Sequence, residues 1–159
     1  MASWKKFKLS PGQQAPIGSL GIGLTDGYIA FYGDEISSPI ESEEMTIDDL
    51  KAFKLRQLES DYNSFREGEL SFSVIEIVDY LFMRLYLKNK INQNPPNEAT
   101  LQAILDNLTP FFDWYQTVLK HKIDNIKLIK AGATISDVEA VSWDFAQFSA
   151  TNPGTGMDL

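Results

Sequence analysis

The spacing of apolar residues changes once along this chain, and that change limits what it can fold into. Near the start the period is two: Leu20, Ile22 and Leu24 alternate with Gly21 and Gly23, as in a strand with one covered face. From Thr46 onward apolar residues recur at spacings of three and four, the mark of amphipathic helices. The expected fold is therefore α+β and predominantly α: an N-terminal β-hairpin or small sheet, then a helical bundle of about five helices with short antiparallel connections. The expected organisation is a β element over residues 1–36, a polar linker over 37–45, the bundle over 46–148 and a flexible C-terminal arm over 149–159.

The glycine-rich stretch Ser19 to Asp34, SLGIGLTDGYIAFYGD, raises the question of a phosphate loop. A dinucleotide fingerprint needs G-x-G-x-x-G between a strand and a helix. Gly21 and Gly23 supply its first two glycines, but Asp26 holds the last position and YIAFYG follows with strand character. No Lys-Ser or Lys-Thr pair follows to make a Walker loop. A hairpin fits better. Thr25, Asp26 and Gly27 form a turn cluster, because Asp and Gly tolerate positive φ. Tyr28 to Tyr32 then returns as the second strand. The bare face at Gly21 and Gly23 implies that another backbone or an aromatic ring comes close there. An isolated hairpin is marginal in water, so this one needs a further strand, such as Trp4 to Leu9, a helix, or a partner chain. Gly21, Gly23, Tyr28 and Tyr32 are accordingly interface candidates.

Thr46-x-x-Asp49 is a capping box. The helix behind it carries Leu55, Leu58, Tyr62 and Phe65 on one stripe and is expected to run to about Glu67, with Gly68 as its stop. Ser73-x-x-Glu76 opens a second helix holding the most apolar run, Phe72 to Leu87, which is too short to span a membrane and reads as a helix buried in the core. The Pro95-Pro96 pair breaks the pattern. Leu101, Ile104, Leu105 and Leu108 share a short helix. Thr109-Pro110 reads either as the cap and first residue of the next helix or as a kink in a continuous one. Phe112, Tyr115, Leu119, Ile123 and Ile126 then form a stripe, and Gly132 is a suitable residue to follow the helix end. Ser136-x-x-Glu139 is expected to open a last helix bearing Val138, Val141, Phe145 and Phe148.

Composition removes several chemistries. A net charge of -8 and a sequence pI of about 4.6 oppose nonspecific binding to nucleic acid and to anionic lipid. The chain has no cysteine, hence no thiol nucleophile, thiolate zinc site or disulfide. The single histidine, His121, lies between Lys120 and Lys122 and reads as a surface residue. One histidine cannot furnish a di-metal bundle. The acidic stretch Gly33 to Glu44 lacks EF-hand spacing. The N-terminus has lysines but no apolar segment behind them, so no secretory leader is expected. No catalytic residue, metal ligand or cofactor is expected. The residual enzymatic reading is a carboxylate pair, Glu76 and Asp79, one helical turn apart.

The positive features are aromatic. Phe111 and Trp114 fall off the Phe112–Tyr115 stripe, and Trp143 falls off the Val138–Phe145 stripe. Off-stripe aromatics mean a wide core face or an interface anchor. Lys120, Lys122, Lys127 and Lys130 read as a solvated face, or as a contact for the acidic surface of another copy.

The layout of a short β element, a helical bundle and a polar arm, without cysteine, resembles small structural or assembly proteins of tailed bacteriophage virions. The segment Ile129 to Pro153, IKAGATISDVEAVSWDFAQFSATNP, carries the resemblance. It implies a non-enzymatic structural role in a tail, baseplate or neck, with other protein subunits as partners, in a homo-oligomer or larger assembly. The implied location is the virion, assembled in the host cytoplasm, and otherwise the cytoplasm. The alternative is a soluble binding module or assembly chaperone.

Overall fold

A computed structural model describes residues 2–34, 36, 40–69, 74–92 and 98–153. Side chains in the second helix are described from Met83 onward. The β-strands are β1 (Ser3–Phe7), β2 (Ser19–Gly23), β3 (Ile29–Gly33) and β4 (Ser42–Glu44), and the α-helices are α1 (Ile47–Glu69), α2 (Val74–Asn92), α3 (Glu98–Ala131) and α4 (Ile135–Glu139). The sheet precedes the helices, so the fold is α+β and mostly α. The Pro95-Pro96 break, the Ser73 capping position, linker residues 37–39 and the arm beyond 153 lie outside the described residues. The chain divides into two compact units, Met1–Asp61 with Ile123–Trp143, and Tyr62–Lys122 with Asp144–Leu159.

The first unit is built on an antiparallel sheet of order β2-β3-β1-β4. The expected hairpin is present. The backbone turns through Asp26 and Gly27, both at positive φ (60° and 77°), and Leu24 N–H closes the turn on Tyr28 O at 2.6 Å. β1 supplies the expected third strand, with Ser3 opposite Gly33 and Phe7 opposite Ile29. β4 falls in the stretch expected to be linker. It has no apolar alternation; what aligns it is charge, since Lys5 faces Glu44 and Lys6 faces Glu43 across the pair. Phe7, Ala30, Phe31, Leu50, Phe53, Leu58, Ile129 and Val138 are buried here.

The close approach expected at Gly21 and Gly23 occurs elsewhere. A Cβ at Gly21 would meet nothing within 4 Å, and one at Gly23 would make only an ordinary contact. Instead the Phe31 ring lies against Gly33, where a Cβ would stand 2.7 Å from it, and against Gly18, at 3.3 Å. Gly132 has a similar reason to be glycine: its Cβ would sit 2.6 Å from Val138 Cγ2. Space rather than a left-handed φ requires it.

The Thr46–Asp49 capping box forms as expected. Asp49 N–H donates to Thr46 Oγ1 at 3.2 Å and Thr46 N–H to Asp49 Oδ2 at 2.9 Å. α1 runs through Gly68 rather than stopping there. A helical glycine costs only about 1 kcal/mol, and the helix end is held by Asn152, whose Nδ2 donates to Glu69 O at 3.2 Å. This hydrogen bond belongs to the second unit.

That unit is an aromatic cluster. Phe65 stacks on Phe145 at 5.8 Å, Tyr62 meets Phe145 edge-on at 5.6 Å, and Trp114 lies between Phe65 and Phe111. α3 passes through Pro110 without a break, so Thr109 starts no new helix. Among its described side chains, Phe111, Phe112, Trp114, Val118, Asn125 and Ile129 are buried, whereas Ile123 is 47% exposed; Leu101, Ile104, Leu105 and Leu108 have side chains outside those described. The covered face is thus rotated by one residue from the expected stripe, because it takes in the larger Phe111 and Trp114 side chains.

The last helix is shorter than expected. Its capping box is Thr134 with Asp137, not Ser136 with Glu139, and it ends at Glu139. A 3-10 turn, Ala146–Thr151, follows. The cause is visible in the first unit: Lys54 Nζ donates to Glu139 O at 3.3 Å and Val141 O at 3.0 Å, taking carbonyls that a longer helix would use.

Gly132→Ala should destabilise by about 1–3 kcal/mol through overpacking against Val138, while Gly21→Ala should be neutral within about 0.5 kcal/mol; thermal unfolding of both variants checks this. Burial raises the Asp49 carboxyl, but hydrogen bonds from Thr46 and Lys6 outweigh it and hold the group below its ordinary 3.8. The ionised form is thus favoured on folding. Its contribution is complete above the unfolded value and is lost as pH falls through the lowered folded value. Asp49→Asn should cost about 1 kcal/mol at neutral pH and flatten the loss of stability below about pH 3.8, read by denaturant titrations across the acid range.

Candidate functional site

Tyr28 sits at the far end of the sheet under two lysines. Lys6 and Lys8 Nζ lie 5.1 and 4.4 Å from its ring centre. Its hydroxyl donates to Glu43 Oε1 at 3.0 Å, and that hydrogen bond, with the Glu43 charge, raises the phenol pKa. Beside it a groove of about 510 Å³ is lined by Lys8, Gln13, Tyr28, Glu41 and Glu43. The groove presents charges of both signs, and the Tyr28 hydroxyl on its wall is already engaged by Glu43. Tyr32, 47% exposed, leans on Trp4 at 5.1 Å. Gly21 and Gly23 lie on edge strand β2, where Arg56 Nη1 donates to Gly23 O at 2.6 Å.

Trp143 borders a smaller recess of about 240 Å³ with Lys54, Gln57, Asp61 and Glu139. Its Nε1 donates to Asp61 Oδ2 at 2.9 Å, and Lys54 Nζ lies 5.4 Å from its ring centre. Burial lowers the Lys54 pKa, against a raising influence from Glu139. The ammonium is spent on the two carbonyls that end α4 and on the indole face, so this arrangement works first as a staple.

Phe111 and Trp114 are each 7% exposed, and Trp114 Nε1 donates to Phe148 O at 3.0 Å. Of the two readings of the off-stripe aromatics, these side chains occupy the wider core face. His121 is not a plain surface residue: its ring packs edge-on against Phe145 at 5.5 Å and Phe148 at 5.3 Å. The Glu76–Asp79 pair has side chains outside those described. Among the described residues no group of three or more histidine or acidic side chains could hold a metal ion.

The surface that sequence reasoning misses lies on α2, where the pattern predicts a core helix. In its described half Leu87 is buried, but Met83, Leu85 and Tyr86 are 50%, 64% and 60% exposed. Arg84 turns to Asp113 at 3.9 Å and lies over the Phe112 ring at 4.9 Å, and Lys90 lies 5.4 Å from the Tyr86 ring centre. The signal is present in the sequence, since the apolar run Phe72–Leu87 extends beyond a single helical stripe and so has more apolar surface than one neighbour covers. No helix among the described residues is long and apolar enough to cross a membrane. Comparison of the chain with family models, with curated proteins and with solved structures gave no match.

Lys54→Met keeps the stem and removes the charged donor. It should destabilise by about 1–2 kcal/mol and speed amide exchange at Val141–Trp143 more than in β1 and β3. Uniform exchange across the chain would show that Lys54 does not hold this segment.

Proposed function

We propose that this chain is a non-enzymatic structural or assembly protein that works through protein–protein contacts, as a subunit of a tailed-phage virion. The exposed apolar face of α2 carries the reading. Fully burying a Met or Leu side chain is worth about 1.5–3 kcal/mol, and within one turn of α2 Met83, Leu85 and Tyr86 stand half or more exposed. Met and Tyr are enriched at interfaces, and an apolar patch on one helix is a common docking surface. The virion assignment rests on the resemblance of Ile129–Pro153. The other sequence-level interface candidates contribute less: Tyr28, Tyr32 and Trp143 are each engaged by neighbours within the first unit.

Light scattering of the chain alone, and mixed with the products of its neighbouring genes, tests the reading. A complex heavier than the monomer should form, and Leu85→Glu with Tyr86→Glu should weaken it at least about tenfold while leaving circular dichroism unchanged. If no heavier species forms in any mixture, or if the double variant binds as well as the parent, the α2 surface is not the docking site.

A further inference from the structure

We infer that the partner seated on α2 is α2 of a second copy of this chain, lying antiparallel to it about a two-fold axis near Met83. The inference rests on the proposed reading of α2 as a docking surface and names its occupant. Along its sequence, α2 carries its charges in two blocks. The first half, Val74 to Phe82, holds Glu76 and Asp79 and no base; the second half, Arg84 to Asn92, holds Arg84, Lys88 and Lys90 and no acid. Two such helices laid parallel set acid along acid and base along base. Laid antiparallel, each acidic half runs along the basic half of the other copy. Like charges in register cost stability and opposite ones gain it, and in a low-dielectric contact both effects grow.

Full overlap of the two helices places the midpoint at Met83 and sets position 76 level with Lys90 of the second copy. The helix dipoles then also oppose each other head to tail. The apolar side chains described around that midpoint, Met83, Leu85 and Tyr86, are the exposed ones. Arg84, beside the midpoint, is turned to Asp113 of its own chain; the remaining charges lie toward the ends, positions 76 and 79 at one and Lys88 and Lys90 at the other, as in an interface with a polar rim. A two-fold axis makes the patch its own complement, as isologous dimers require. Within α2, the segment that matches the basic half in register, length and opposite sign is the acidic half of the same helix. A helix of this length spans about 28 Å at 1.5 Å per residue, a modest contact, so association in the range of about 1–100 µM is expected.

The absence of cysteine gives a clean test. In the full chain, Met83→Cys treated with a short bis-maleimide should give a cross-linked dimer. Asn92→Cys should not, because the two Asn92 positions lie about 27 Å apart at opposite ends of the pair. A charge exchange supplies an independent arm that does not disturb the apolar centre. Glu76→Lys with Asp79→Lys, and separately Lys88→Glu with Lys90→Glu, should each abolish the doubling of mass in light scattering. Mixing the two variants, or combining all four changes in one chain, should restore it. Cross-linking at Asn92→Cys as strongly as at Met83→Cys would mean a parallel pair and overturn the inference. So would self-association that survives both charge variants. A complex with a neighbouring gene product, blocked by Leu85→Glu with Tyr86→Glu but without self-association, would overturn the inference and leave α2 as a docking surface; no complex of either kind would overturn both.

Discussion

The Asp49 carboxylate joins three parts of the first unit that sequence patterning treats separately. It closes the capping box of α1, accepting from Thr46 N–H and hydroxyl at 2.9 and 2.8 Å. The same oxygen accepts from Lys6 Nζ at 3.0 Å, and Lys6 lies in β1. Lys6 in turn reaches Glu43 at 3.9 Å on β4 and the face of Tyr28, whose hydroxyl returns to Glu43. Pairs of this kind at an open surface are worth little, about 0–1 kcal/mol each. Here the Lys6 and Asp49 side chains are only 17% and 22% exposed, and the partners share atoms. Losing one member leaves others without a counter-charge, which is costlier than losing an isolated pair.

What can be read from the sequence, and what cannot, divides along the range of the interaction. The turn at Asp26–Gly27 and the cap at Thr46 depend on residues within three positions of each other, and both form as expected. β4 depends on Lys5 and Lys6, nearly forty residues away. A three-residue strand of Ser and Glu has no propensity signal of its own, so only the partner strand reveals it. The end of α4 escapes sequence reading for the same reason. The stripe Val138, Val141, Phe145 and Phe148 is a fair helical pattern, and Val138 and Phe145 are indeed buried. Lys54, far away in sequence, takes the carbonyls and breaks the run.

Aromatic residues show a different limit. Both possible stripes of α3 are apolar, and choosing between them needs to know what they meet. Trp114 finds a carbonyl at Phe148 for its indole N–H and rings from Phe65 and Phe111, which rewards the larger face. Glycine positions behave alike. A strand with bare positions at Gly21 and Gly23 suggests a close neighbour, yet the crowding ring is Phe31 and the glycines that admit it are Gly18 and Gly33. Pattern shows that close packing is needed in this region; only the sheet order shows where.

The case of α2 is one where, in the described half, the usual meaning of the pattern does not hold. A helix with so long an apolar run is normally read as fully enclosed. Enclosure, however, can be supplied by the same chain or by another, and periodicity is silent on which. In the described half of α2 Leu87 is buried and Arg84 turns to Asp113, while Met83, Leu85 and Tyr86 are largely outward. Sorting of the charges into an acidic and a basic half is then the informative feature. It does nothing for burial within one chain beyond a favourable helix dipole. For a contact between two such helices it selects an orientation, because one alignment brings opposite charges together and the other brings like charges together. Apolar surface makes association favourable and charge order decides its geometry, and a pattern that reads as core serves equally well for a contact with another chain.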